Sequence, residues 1–179
     1  RRPPHRSGAR PPPSARDPTA CVRLWAAAAE APVARARDLL CEKAMPDAAS
    51  KKEGGKVLMV SSLDEEHPGD NIIDGTEHTY WLSTGCYPQE ILLQLGTPAS
   101  ISRIRLASTN VRSVRLEGCS EENPVNFHVL SERDLDEKSG RLQNQDFDVD
   151  PSPSPARFVK VLINSGWHDF CSIHKVVVE

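Results

Sequence analysis

The chain has 179 residues, 38% of them hydrophobic and 26% charged, with a formal net charge of −3; that length suits one core, and the composition is ordinary for a soluble globular protein. The charge is unevenly spread: residues 1–44 carry nine basic and four acidic side chains, and the rest 13 basic and 21 acidic. The part with folding potential is therefore mildly acidic, which argues against a nucleic-acid footprint, since that needs basic side chains gathered on the folded part.

Residues 1–44 hold seven of the fifteen prolines and are rich in Arg and Ala. Arg1 to Pro18 shows no apolar periodicity and too little apolar surface to offset the entropy of ordering. Cys21 to Lys43 has helix-favouring Ala, Arg and Leu, interrupted by Pro32. The longest apolar stretch, Leu24 to Ala34, is broken by Glu30 and Pro32 and is too short to span a bilayer. Asp17, Glu30, Asp38 and Glu42 speak against a transit peptide, and the broken apolar run speaks against a signal peptide. The expectation is a soluble, unsecreted protein with no membrane insertion. Residues 1–45 are expected to be a disordered or partly helical extension, or a translated leader, with the natural start at or near Met45.

From Val57 onward short β-type runs alternate with turn signals. Val57 to Val60 is an apolar run, and Gln89 to Leu95 places Ile91, Leu93 and Leu95 on one face. Gly96, Thr97 and Pro98 then read as a turn. Ser102 to Leu106 turns Ile104 and Leu106 inward, and Val111 to Glu117 does the same with Val114 and Leu116. Asn126 to Leu130 and Arg141 to Val149 are weaker strands separated by a turn at Ser139 and Gly140. The proline-rich 151–155 stretch excludes a strand, and Phe158 to Ile163 and Ile173 to Val178 are strongly apolar closing strands. Eight or nine strands with no convincing helix after residue 50 predict an all-β jelly-roll sandwich over residues 46–179.

Two segments resemble the opening of discoidin-like, galactose-binding-type jelly rolls: Ser61 to Pro68, and Asn71-Ile72-Ile73-Asp74-Gly75 followed by Thr79-Tyr80-Trp81. Ser83-Thr84-Gly85, Pro88-Gln89-Glu90, Gly140 to Asn144, Arg157-Phe158-Val159, Trp167 to Phe170 and Ser172-Ile173-His174 narrow the likeness. Together they are similar to the small, discoidin-like intraflagellar transport protein 25 family. The resemblance implies a non-catalytic subunit of intraflagellar transport complex B, found in cilium and cytoplasm. It implies a heterodimer with a Rab-like small GTPase, contacts with other complex B subunits and export of signalling cargo. It also implies a structural Ca²⁺ in the first loop, held at Asn71, Asp74 and Thr79. The chain has Thr76, Glu77 and His78 where that family usually carries Asn-Pro-Glu. Ca²⁺ takes six to eight oxygen ligands and accepts carbonyls as readily as carboxylates. The same residues, however, commonly satisfy only their own backbone in Asx-type turns.

Other constellations carry less chemistry. Cys21, Cys41, Cys86, Cys119 and Cys171 are odd in number and lack any Cys-x-x-Cys spacing, as expected of reduced, mostly buried thiols. His168 beside Asp169 has no nucleophile elbow, and neighbouring side chains usually point apart. His67, His78 and His128 lack metal-ligand spacing. Trp81 and Trp167 read as packing residues or as sugar-stacking aromatics of a discoidin-type carbohydrate or lipid binder, the competing function. Arg103, Arg105, Arg112 and Arg115 form one outward basic patch, either solvated sheet surface or a receiver of a partner's carboxylates.

Overall fold

A computed structural model describes residues 46–150 and 154–179; the expected extension over residues 1–45 lies outside them. Nine strands form among the described residues: β1 (Lys56–Val60), β2 (Trp81–Leu82), β3 (Gln89–Ala99), β4 (Arg103–Thr109), β5 (Val111–Cys119), β6 (His128–Asp134), β7 (Gln143–Asp148), β8 (Ala156–Gly166) and β9 (Ser172–Val178). They pair into a five-stranded sheet of order β1-β3-β8-β5-β6 and a four-stranded sheet of order β2-β9-β4-β7. Every pairing is antiparallel. This is the predicted all-β sandwich.

The core follows from the period-2 alternation of strands that each bury one face. Ile91, Leu93 and Leu95 of β3 and Val159, Val161 and Ile163 of β8 face Ile104 and Leu106 of β4 and Ile173, Val176 and Val178 of β9 across the interior. Two strands skip a beat in this rhythm. Val111 and Val114 of β5 are both buried, as are Ile173 and Val176 of β9, three positions apart rather than two. Register irregularities sit at both places, between Val111 and Val114 against β8 and between Ala107 and Ser108 against β9. An extra residue in one strand re-phases its side chains, so both apolar residues reach the core.

Two expectations need correction. Gly96 to Pro98 does not turn the chain; β3 runs on to Ala99, and a bulge between Gln94 and Ala99 absorbs the proline. Gly96 is needed for close approach, because a Cβ there would lie 1.9 Å from the Glu53 carbonyl oxygen. The sixth strand starts two residues after the expected position and runs four residues further, to Asp134. It lies at a sheet edge, where the Arg115–Glu132 ion pair at 3.0 Å supports a polar stretch. The two-residue β2 has no apolar run to announce it. Two short 3-10 turns, Lys51–Glu53 and Gly69–Ile73, are the helical elements after residue 50 among the described residues.

Gln143 joins the ends of the sandwich. Its amide nitrogen donates to the Val111 and Asp136 carbonyls, both at 2.8 Å, and its amide oxygen accepts from the Val111 N–H at 3.0 Å. The side chain thus replaces a strand partner for backbone groups that burial would otherwise leave unpaired.

Candidate metal site

The first long loop is pinned at both ends. On one side the Gly69–Ile73 turn sinks Ile72 and Ile73 into the core. On the other, fully buried Trp81 donates its indole N–H to the Ser62 carbonyl at 2.9 Å and pairs with Ile173 on β9. Between these anchors the loop is held by its own oxygens. One oxygen of Asp74 accepts the Thr76 N–H at 2.8 Å, an Asx turn that Gly75 continues at φ +90°. Its other oxygen accepts the Thr79 hydroxyl at 2.5 Å and the Thr76 hydroxyl at 3.4 Å. The two hydroxyls are themselves 2.6 Å apart. Asn71 donates its amide to the carbonyl of Tyr80, next to Thr79, at 2.9 Å.

All three sequence-expected residues therefore meet in one loop, with Asp74 and Thr79 in contact and Asn71 clamping the following residue. The Asx turn forms as well, so that alternative is part of the same geometry. The donor set is one carboxylate, two hydroxyls and an amide, all hard oxygen chemistry that suits Ca²⁺ rather than a softer metal. The 2.5 and 2.6 Å separations are those of hydrogen bonds between these oxygens, which a bound ion would have to replace. Among the described residues no cluster of three or more His, Cys, Asp and Glu side chains is arranged around a metal; a Ca²⁺ here would depend on hydroxyl and carbonyl oxygens beside one carboxylate. Desolvation acts upward on the Asp74 carboxyl, but the hydrogen bonds from Thr79 and Thr76, with the positive charge of Lys51, outweigh it and hold the group below its ordinary value.

One contributor is invisible in the local motif. His174 on β9 places Nδ1 2.9 Å from the Glu77 carbonyl oxygen inside the loop, and its ring packs on Tyr80 at 5.1 Å. Tyr80 in turn stacks on His67 at 4.1 Å. The Ser172-Ile173-His174 stretch marks the strand, but no spacing rule links it to a loop 97 residues earlier.

Elsewhere the structure separates what the sequence groups. The four arginines are not one patch. Arg103 and Arg105 lie on β4 in the four-stranded sheet, and Arg112 and Arg115 on β5 in the five-stranded sheet. Asn110, with φ 61°, carries the chain across between them. Arg103 pairs with Asp148 at 3.1 Å, Arg105 with Glu179, and Arg115 with Glu132, while Arg112 lies 5.2 Å over the Trp167 ring. His168 and Asp169 are exposed on a rim cleft of about 520 Å³ that Trp167 and Phe170 also line. The His168 carbonyl accepts the Tyr87 hydroxyl at 3.0 Å. Trp81 is a core residue, whereas Trp167 stays partly exposed with its N–H bonded to the Leu135 carbonyl at 3.1 Å. Cys119 and Cys171 are buried thiols and Cys86 is exposed; burial pushes the Cys171 thiol up. No helix among the described residues is long and apolar enough to cross a membrane.

The fold and this loop define the class. The model of the F5/8 type C domain family matches residues 58–176, and solved structures share the architecture. A CBM32 module from Clostridium perfringens in complex with GalNAc-β-1,3-galactose superposes with a TM-score of 0.59 at 25% identity, covering 70% of this chain and 96% of that one. A chitosan-binding module from Paenibacillus sp. IK-5 has a TM-score of 0.61 at 18% identity, covering 75% of this chain and 99% of the module; that likeness shows the fold alone. Within the class, the chain belongs to the intraflagellar transport protein 25 family. It is 34% identical over 133 residues to the intraflagellar transport protein 25 homolog of Mus musculus, covering 74% of this chain and 92% of the relative. It is also 34% identical over 134 residues to intraflagellar transport protein 25 of Chlamydomonas reinhardtii, covering 75% of this chain and 69% of the relative.

Proposed function

We propose that this domain is a non-catalytic subunit of intraflagellar transport complex B, working in the cilium and cytoplasm. It pairs there with a Rab-like small GTPase, meets other complex B subunits and supports export of signalling cargo. A structural Ca²⁺ held by Asn71, Asp74 and Thr79 rigidifies the first loop. The observation that carries this reading is the match to relatives named intraflagellar transport protein 25 along 92% of the mouse protein's length. Arg103, Arg105 and Arg115 are already ion-paired within the domain, so contact through those positions would draw on shape and apolar area more than on free positive charge. For the ion, the supporting observation is the contact between Asp74 and the two threonine hydroxyls.

A carbohydrate-binding role is the competing reading. It is favoured by the 25% identical sugar-bound module and by the partly exposed Trp167 and Phe170 at the rim cleft. Co-expression with a Rab-like complex B GTPase, followed by size-exclusion chromatography, separates the two. The expected result is a single 1:1 peak that immobilised galactose does not retain. Separate elution of the two chains, with retention of this one on galactose, would overturn the proposal.

A further inference from the structure

The strand-borne imidazole of His174 grips the first loop at two points on either side of Thr79. Its Nδ1 lies 2.9 Å from the carbonyl oxygen of Glu77, and its ring packs on Tyr80. A carbonyl oxygen can only accept, so Nδ1 must carry a proton in this contact. Nε2 then faces two hydroxyls, Ser172 Oγ at 3.1 Å and Thr109 Oγ1 at 3.2 Å, either of which can donate to it. Thr109 and Ser172 are directly paired residues of neighbouring strands. The Glu77 carbonyl thus sets the tautomer, while the two strand hydroxyls hold the ring's rotation from the sheet side. Tyr80 is confined further by His67 on its other side, at 4.1 Å and 22° between planes. Its carbonyl is the group that Asn71 clamps.

We propose that His174 is a positioning residue for the oxygen cluster of Asp74, Thr76 and Thr79. Held by β4 and β9, it fixes the Glu77–Tyr80 segment so that the Thr79 hydroxyl stands against the Asp74 carboxylate before an ion arrives. Ligand-orienting partners outside the coordination shell commonly set metal affinity, and their loss costs roughly 10–100-fold. An anchored loop loses less freedom on binding, and that saving appears as affinity. This role rests on the calcium reading above, but the anchoring itself does not need the ion.

Two substitutions separate this role from simple packing. In His174→Asn the amide nitrogen sits where Nδ1 does and keeps the bond to Glu77, whereas in His174→Gln it sits where Nε2 does and loses that bond. Calcium titration calorimetry on the full chain should show His174→Gln weakened about tenfold or more and His174→Asn close to the parent. The ion-free melting temperatures of both variants should match. Without calcium, hydrogen exchange at the Thr76 amide, which donates to Asp74 at 2.8 Å, should speed up in His174→Gln and match the parent in His174→Asn. Equal calcium affinities and equal exchange in all three proteins would overturn the proposal. Faster exchange in His174→Gln alongside a parent chain that binds no calcium would keep the anchor and remove the calcium reading, so the two fail separately.

Discussion

Calcium at about a hundred times its dissociation constant is expected to raise the melting temperature of the domain by roughly 10 °C, and Asp74→Ala to abolish the rise. The magnitude follows from linkage, since a ligand that binds only the folded state at that excess adds about 2.7 kcal/mol. One kcal/mol moves the transition of a domain this size by about 3–5 °C. Asp74 supplies the one carboxylate among the proposed ligands, and both its oxygens also organise the loop through Thr76 and Thr79. Asp74→Asn keeps much of that hydrogen bonding but lacks the charge, so it should retain the ion-free stability and lose most of the calcium gain. Proton competition has a definite sign. A carboxyl whose folded-state value is lowered contributes stability above the unfolded value, and that contribution is lost as the pH falls through the folded value. The calcium gain should therefore persist at about pH 5, above the ordinary Asp value of about 3.9, and fade only below it. Scanning calorimetry with calcium and with chelator reads all of this. Identical transitions in the parent chain under both conditions would refute the calcium site.

Trp81→Ala is expected to cost about 3–5 kcal/mol, the largest loss from any single truncation considered in this domain. The side chain is fully buried, its strand is only two residues long, and its indole N–H holds the Ser62 carbonyl at 2.9 Å. Truncation removes core volume, unpairs that carbonyl and releases the end of the loop adjoining Thr79 and Tyr80. Trp81→Phe keeps most of the volume but orphans the carbonyl, at about 1–3 kcal/mol. Urea unfolding would measure both losses. A loss under about 1 kcal/mol for Trp81→Ala would contradict its place in the core.

The strands that could be read in the sequence are those whose alternation is uninterrupted. Ile91, Leu93 and Leu95 on β3 and Ile104 and Leu106 on β4 announce their buried face because each strand has one wet side. The same rule is silent where tertiary partners decide. Gly96 reads as a turn residue until the Glu53 carbonyl is found lying where its side chain would be. The polar end of β6 becomes a strand through Arg115 on its neighbour, and nothing within residues 131–134 announces it. The arginines look like one patch because period-2 alternation reports inside against outside and does not say which of two sheets a residue belongs to.

The site divides along the same line. Asn71, Asp74 and Thr79 fall within nine residues, so a local motif contains them and the structure brings them together. His67 and His174 have no local spacing to connect them, and only the antiparallel pairing of β2 with β9 carries His174 to Tyr80. Reading His67 as one of several scattered histidines misses its stack on Tyr80 for that reason.

Affinity purification of the tagged full chain from ciliated cells, followed by quantitative mass spectrometry, decides between a complex B subunit and a sugar binder. A Rab-like small GTPase should be recovered in near-equal amount, together with other complex B subunits. Recovery of galactose-eluted glycoproteins with no GTPase and no complex B subunit would contradict the complex B reading.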